Sequence, residues 1–326
     1  MTESVAIQIT NLSKTYGSID AVKNLSLTVQ HGEIFGLLGP NGAGKSTILR
    51  ILITTLRPTT GTATILGHDV VKEADTVRRL IGYVAQERAI DRFLTGREHL
   101  LLFAVLYHIP KQEALARIDS LLKLVGLEHD ADRVAKGYSG GMKRKLDIAC
   151  GLLPHPKILF LDEPTLGLDV QSRMNIWEHI RQLKQQGMTI VITTNYLDEA
   201  DKLCDRIAII DHGEIRVTGS PKDLKSSLGG DGVWLTLSDA TPPEALEQLT
   251  TALQALPCVR AIRPRENGLD IRVDGPEKAM PAIMEATNTV AECRLDGIEY
   301  HRPRLDDVFI AHTGRSLKDE PLAPTT

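Results

Sequence analysis

Gly39-Pro40-Asn41-Gly42-Ala43-Gly44-Lys45-Ser46-Thr47 fits the phosphate-binding pattern G-x-x-x-x-G-K-[ST] without a mismatch. The apolar run Glu33-Ile34-Phe35-Gly36-Leu37-Leu38 precedes it, and Ile48-Leu49-Arg50-Ile51-Leu52 follows with apolar residues at helical spacing. The motif therefore sits between an expected strand and an expected helix, the context that gives it meaning. Glycines let the backbone curl so that successive N–H groups face phosphate oxygens, and the helix N-terminus adds partial positive charge. All nine residues, Gly39, Pro40, Asn41, Gly42, Ala43, Gly44, Lys45, Ser46 and Thr47, are candidates for holding a nucleotide's phosphates. Lys45 can reach the β- and γ-phosphates, and the Ser46 hydroxyl can reach Mg²⁺.

The chain around this loop has 326 residues, enough for two domains. Its net charge of −4 gives no electrostatic reason to expect nucleic acid. The four cysteines (Cys150, Cys204, Cys258, Cys293) include no C-x-x-C pair, which suits free thiols in a reducing compartment. Met1-Thr2-Glu3-Ser4-Val5 lacks the basic and apolar regions of a secretory signal. The longest apolar run, residues 100–109, is interrupted by His108 and is about half the ~20 residues a bilayer requires. If the protein works at a membrane, another chain supplies the membrane part.

Residues 5–9 and 25–29 alternate as half-buried antiparallel strands do. Tyr16 lies between them; it could stack on a purine or pack at a strand edge, and position leaves both open. Gln86 ends a strand-like run, Leu80-Ile81-Gly82-Tyr83-Val84-Ala85, where it could reach Mg²⁺ or an attacking water. Residues 90–153 read as helical. Thr95-Gly96-Arg97-Glu98 is a capping box, with Leu101, Leu102, Val105 and Leu106 as the expected apolar face behind it. Ser139-Gly140-Gly141 precedes another helical stretch, again an anion-binding arrangement. Lys157-Ile158-Leu159-Phe160-Leu161-Asp162-Glu163 is a buried parallel strand ending in two acids. Such carboxylates are costly unless paired or metal-bound; Asp162 can hold Mg²⁺ and Glu163 can orient or deprotonate water. Thr189-Ile190-Val191-Ile192-Thr193-Thr194-Asn195 is one more buried strand with a polar end.

Near residue 230 the register changes, with Gly229-Gly230-Asp231-Gly232 as the expected linker. Strand 233–237, helix 243–256, strands 258–263 and 269–273, helix 276–287 and strand 290–299 make a βαββαβ, ferredoxin-like order. That half carries no phosphate loop, metal cluster or nucleophile constellation. The expected organisation is residues 1–230 as a nucleotide-binding domain, with the helical subdomain at about 90–153. Residues 231–316 form an accessory domain and 317–326 a disordered tail.

In this order the motifs are specific. The first ~230 residues resemble the ATP-binding subunit of ABC transporters. The resemblance implies an α/β fold, a P-loop ABC ATPase domain with a mixed sheet and a helical subdomain, here followed by the ferredoxin-like α+β domain. It assigns Tyr16 to adenine stacking, Gly39 to Thr47 to Walker A, and Gln86 to the Q-loop. Tyr138-Ser139-Gly140-Gly141-Met142 is similar to the signature usually written Leu-Ser-Gly-Gly-Gln. Asp162 and Glu163 match Walker B, and Asp169 the D-loop. It implies ATP and Mg²⁺ as cofactors, with Ser46, Gln86 and Asp162 as metal-holding residues. It also implies a second ATP-binding subunit arranged head to tail, so that each ATP lies between one Walker A and the other chain's Ser139-Gly140-Gly141. The partner in the membrane is a separate permease, which places the chain at the cytoplasmic face of the cell membrane. Pro303-Arg304-Leu305-Asp306-Asp307-Val308-Phe309-Ile310-Ala311-His312-Thr313-Gly314 resembles the closing segment of daunorubicin-resistance-type ATPases, which energise export of drugs, lipids or polysaccharides. Residues 306–312 read as a short amphipathic helix packed on the ATPase or its twin.

Thr193-Thr194-Asn195-Tyr196-Leu197-Asp198-Glu199-Ala200 matches the family's switch segment, except that Asn195 stands where the family has His. Asn offers an NH₂ donor but is shorter and cannot carry positive charge. The expected catalytic set is Glu163, Gln86 and Asn195, with a slow nucleotide switch as the alternative to an ordinary ATPase. A soluble ABC factor acting on ribosomes or DNA is the reading from another class; tandem cassettes and basic surfaces would mark it, and this chain has one cassette and an acidic balance.

Overall fold

The structure is a computed structural model, described here for residues 5–87, 90–228, 230–238, 241–265, 267–291 and 293–317. Met1 to Ser4, Gly229 of the expected linker and nearly all of the expected tail lie outside the described residues. The chain divides into two compact units, the first running to Pro221 and the second spanning Lys222–Ser316.

The first unit opens with β1 (Val5–Tyr16), β2 (Ile19–Gln30), β3 (Ile34–Leu38) and α1 (Lys45–Leu52), then β4 (Thr60–Ile65), β5 (His68–Asp69), α2 (Ala74–Leu80) and β6 (Ile81–Val84). Three helices follow: α3 (Gly96–Leu106), α4 (Lys111–Leu124) and α5 (Gly140–Leu152). The α/β alternation then resumes with β7 (Ile158–Asp162), α6 (Val170–Gln185), β8 (Thr189–Thr194), α7 (Leu197–Leu203), β9 (Arg206–Asp211) and β10 (Glu214–Gly219). One sheet is antiparallel, in the order β2-β1-β4-β5. The other is mixed, in the order β10-β9-β3-β8-β7-β6, parallel except for the edge strand β10.

Every residue of β3, β7 and β8 is buried, which is why these stretches read as unbroken apolar runs. Phe35, Phe160 and Val191 from this sheet share a core with Ile48, Leu49 and Ile51 of α1. The consequence for function is positional. β3, β8, β7 and β6 are consecutive parallel neighbours. Their carboxyl ends carry, respectively, the phosphate loop, Asn195, Asp162-Glu163 and Gln86. Crevices at such strand ends are where open α/β sheets hold ligands.

Two expectations for this unit change in detail. β1 and β2 run well beyond residues 5–9 and 25–29, because their register shifts between Ile9 and Leu12. A bulge of this kind breaks the alternation without ending the pairing. The capping box at Thr95 and Glu98 forms, but α3 buries Gly96, His99, Leu100 and Ala104. Leu102, Val105 and Leu106, expected on the apolar face toward the core, are exposed instead. The helix is apolar almost all round, so periodicity could not tell which side faces inward.

The second unit contains most of α8 (Pro221–Ser226), then β11 (Asp231–Leu237), α9 (Pro243–Gln254), β12 (Val259–Arg265), β13 (Gly268–Val273), α10 (Pro276–Thr289), β14 (Leu295–His301) and α11 (Leu305–Thr313). Its sheet order β12-β13-β11-β14, antiparallel throughout, is the ferredoxin-like arrangement. β14 begins at Leu295 rather than near 290, because α10 continues to Thr289 and a turn follows, in which Cys293 N–H donates to Val290 O. α11 is tied to its own unit: Asp307 lies 3.6 Å from Arg272 and 3.9 Å from His301.

Candidate functional site

The phosphate loop joins β3 to α1 in a conformation that two glycines permit. Gly44 has φ +104°, and a Cβ there would stand 2.4 Å from Ala21 O. A Cβ on Gly39 would meet Ile210 O at 2.2 Å. Neither position tolerates a side chain without moving backbone. Lys45, 4% exposed, donates to the carbonyls of Gly39 (2.6 Å) and Pro40 (2.8 Å), so its ammonium lies along the inside of the loop.

A cleft of about 260 Å³ is lined by Ala21, residues 41–47, Gln86 and Glu163. The loop, the strand end after β6 and the strand end after β7 thus meet in one place. Gln86 Nε2 donates to Glu163 Oε2 at 3.2 Å. Asp162 is buried and its Oδ1 accepts from the Thr193 hydroxyl. Glu163 N–H donates to Thr193 Oγ1 at 3.0 Å, so β8 holds both acids of β7's end. Glu163 has φ +44°, a backbone conformation that L residues rarely adopt. Burial pushes its carboxyl above the ordinary glutamate range; Lys45 opposes this, while Asp162 and Glu199 add to it.

The remaining predicted residues do not line that cleft. Ser139 is the exposed N-cap of α5 and accepts from Met142 N–H at 3.2 Å. Gly140 and Gly141 begin the helix, as the sequence leads one to expect. Asp169 caps α6: its carboxylate accepts from Ser172 N–H (2.8 Å) and Ser172 Oγ (2.7 Å). A Cβ on Gly141 would meet that same Ser172 Oγ at 2.8 Å. Asp169, Ser172 and the Ser-Gly-Gly turn therefore form one surface. Tyr16 ends β1, 42% exposed, with the Lys14 ammonium 5.2 Å from its ring centre. Asn195 follows β8, and its Oδ1 is buried without a hydrogen-bond partner.

Several residues at the site are given no role of their own by the sequence motifs. Ala21 closes the cleft through β2. Thr193 opens the switch segment, but the sequence gives its side chain no task of its own. Glu199, fully buried, accepts from Thr165 Oγ1 (2.7 Å) and Trp177 Nε1 (2.9 Å). Arg144 is buried on α5 and donates to three carbonyls around Gln86 and Glu163.

Comparison with known proteins agrees with this geometry. Residues 22–166 match the ABC transporter domain family. The chain is 44% identical over 314 residues to the daunorubicin/doxorubicin resistance ATP-binding protein DrrA of Streptomyces peucetius, covering 96% of this chain and 94% of that protein. The chain belongs to the ABC transporter ATP-binding proteins. Similarity to the Nod factor export ATP-binding protein I of Sinorhizobium fredii is 39%, over 97% of this chain and 88% of that one. Among solved structures, cbiO1 of Clostridium perfringens, part of an ABC transporter complex, superposes with TM-score 0.65 at 29% identity, covering 69% of this chain and 92% of that one. A dimeric bacterial ABC transporter cassette superposes with TM-score 0.59 at 30% identity, covering 66% and 98%. As an ABC transporter ATPase the chain binds ATP. No helix among its described residues is long and apolar enough to cross a membrane. Nor, among those residues, do three or more His, Cys, Asp or Glu side chains group to hold a metal on their own.

Proposed function

We propose that this chain is the ATP-hydrolysing subunit of an export system, working as a head-to-tail pair at the cytoplasmic face of a cell membrane and driving a separate integral-membrane permease. The observation that carries this reading is the split of the motifs. Walker A, Gln86 and Glu163 share one cleft, whereas the exposed Ser139 cap and its helix N-terminus lie outside it. A second copy, or a related chain, supplies that helix end to complete the site. Drug-like or lipid cargo is the class favoured by the resistance and export relatives.

Within this reading each residue has a task. Residues 39–47 wrap the phosphates, and Tyr16 stacks on the adenine. Ser46, Gln86 and Asp162 offer the oxygen donors that suit Mg²⁺, which in phosphate sites takes one or two carboxylates and completes its shell from phosphates and water. When bound, that ion neutralises charge on the β- and γ-phosphate oxygens. Glu163, its proton affinity raised by burial, orients or deprotonates the attacking water. Lys45 and the opposite chain's Ser139-Gly140-Gly141 stabilise charge on the transferring phosphoryl group. Asp169 fixes the surface that faces the twin.

A second reading is favoured by Asn195. Its Oδ1 is buried and unpartnered, and an Asn side chain cannot supply the cationic donor that the family uses at the switch position, so in this reading ATP closes the pair and hydrolysis is slow. Steady-state ATP hydrolysis with the permease separates the two. Turnover that Glu163→Gln abolishes, with ATP binding kept, supports the working ATPase. If Asn195 limits the rate, Asn195→His raises turnover by ~10²–10³; an unchanged rate rejects the slow-switch reading.

A further inference from the structure

Arg144 sits about 7.5 Å along the α5 axis from the Ser139 cap, at 1.5 Å per residue. Its side chain is almost fully buried, 2% exposed. Hydrogen bonds from the guanidinium reach three backbone carbonyls, and Asp147 Oδ2 lies 4.0 Å from Nη1. Nη1 donates to Ala85 O at 2.6 Å, Nη2 to Asp162 O at 2.8 Å, and Nε to Pro164 O at 2.8 Å. Those acceptors are not a random set. Ala85 is the residue before Gln86; Asp162 and Pro164 are the residues on either side of Glu163. One planar, rigid fork thus spans the two strand ends that aim Gln86 and Glu163 at each other.

The clamp explains a backbone feature. Glu163 holds φ +44°, a conformation that persists only where its surroundings over-determine it. Arg144 holds the carbonyl of the peptide that enters Glu163 and that of the peptide leaving Pro164, and Thr193 fixes the Glu163 N–H from the other side. The clamp also joins two functions that lie apart in the sequence. The helix carrying Arg144 begins at the Ser-Gly-Gly turn, which in the head-to-tail pair meets the phosphate held by the other chain. A rigid α-helix moves as a body, so displacement at its N-terminus reaches the guanidinium one turn later.

We infer that Arg144 is a positioning residue that transmits engagement of this chain's Ser139-Gly140-Gly141 with the opposite chain's ATP to this chain's own Gln86 and Glu163. Each hydrolytic centre is thereby set by the occupancy of the other. This rests on the head-to-tail reading above.

The test uses the full chain with its permease. Arg144→Lys keeps the charge but replaces the planar, rigid fork with a point donor on a flexible stem; Arg144→Gln removes the charge as well. Both are expected to lower kcat by roughly 10²-fold, the cost of misplacing catalytic groups by about an ångström, while ATP affinity and melting temperature stay close to wild type for Arg144→Lys. A merely architectural role would lower affinity and melting temperature together with kcat. Wild-type kcat in Arg144→Lys, or parallel loss of affinity, overturns the inference. If wild-type turnover is absent or survives Glu163→Gln, the failure belongs to the hydrolytic reading instead.

Should neither variant fold, hydrogen exchange carries the test. A ¹⁵N-labelled Lys45→Ala copy, which cannot load its own site, is paired with an unlabelled Glu163→Gln copy and ATP. In the labelled copy, peptides over 84–87 and 161–166 are expected to gain protection together with 139–146. Protection confined to 139–146 overturns the inference, and protection nowhere in the labelled copy overturns the head-to-tail pair itself.

Discussion

Glu163 is held where its charge is disfavoured. Burial raises its pKa most, with the nearby Asp162 and Glu199 charges adding to the shift and Lys45 opposing it. A base must be deprotonated to act, so turnover is expected to rise with pH through a midpoint above the ordinary glutamate value of ~4.3. Glu199→Gln keeps an oxygen for the Thr165 and Trp177 hydrogen bonds and removes one of the charges raising Glu163. The acid limb of the kcat profile should then move to lower pH; a limb that stays put denies Glu199 this influence. At this scale the phosphate loop was fully legible, because its chemistry needs contiguous residues and leaves a contiguous pattern. The contacts of Glu199, Thr193 and Arg144 were not, although the first two lie in the quoted switch segment. Each acts through atoms 18 or more residues away in sequence, and such partners leave no local spacing to read.

At the scale of elements, helix positions were readable while their facing was not. α3 was expected from its capping box and forms there, yet seven successive apolar residues from Leu100 to Leu106 erase the stripe that would orient it. The structure shows Leu102 at 45%, Val105 at 69% and Leu106 at 63% exposure, with Phe93 at 68% just before the helix. Exposed large apolar side chains grouped on one element call for a partner. The segment follows Gln86 in the chain, so a permease seated there would feel the nucleotide cleft. Val105→Asp with Leu106→Asp is expected to cut permease co-purification by roughly tenfold or more. ATP affinity should be unchanged, since surface substitutions of this kind seldom cost more than about 0.5 kcal/mol of stability. Intact co-purification would place the docking surface elsewhere.

At the scale of the whole molecule, the two units have separate cores and separate optical reporters. The chain has two tryptophans; Trp177 lies in α6 of the first unit and Trp234 in β11 of the second. The βαββαβ order of the second unit was legible because each element kept its own period, but its interior electrostatics were not. Arg272, 4% exposed, lies 3.1 Å from Asp270 and 3.6 Å from Asp307. His301 lies 3.7 Å from Asp270, and its ring centre is 4.1 Å from that of Trp234. This cluster ties α11 to the sheet, and Trp234 reports on it directly. Arg272→Met would strand two carboxylates that now share one buried cation, a loss of roughly 3–5 kcal/mol. Urea unfolding followed in a Trp177→Phe background should therefore show the Trp234 transition at lower denaturant. The first unit's transition, followed at Trp177 in a Trp234→Phe background, should instead move upward with added ATP by mass action. A Trp234 midpoint unchanged by Arg272→Met would show that water, rather than Arg272, already satisfies the two acids. The clasp on α11 would then rest on its buried Leu305, Val308 and Phe309 and on the approach of Asp307 to His301.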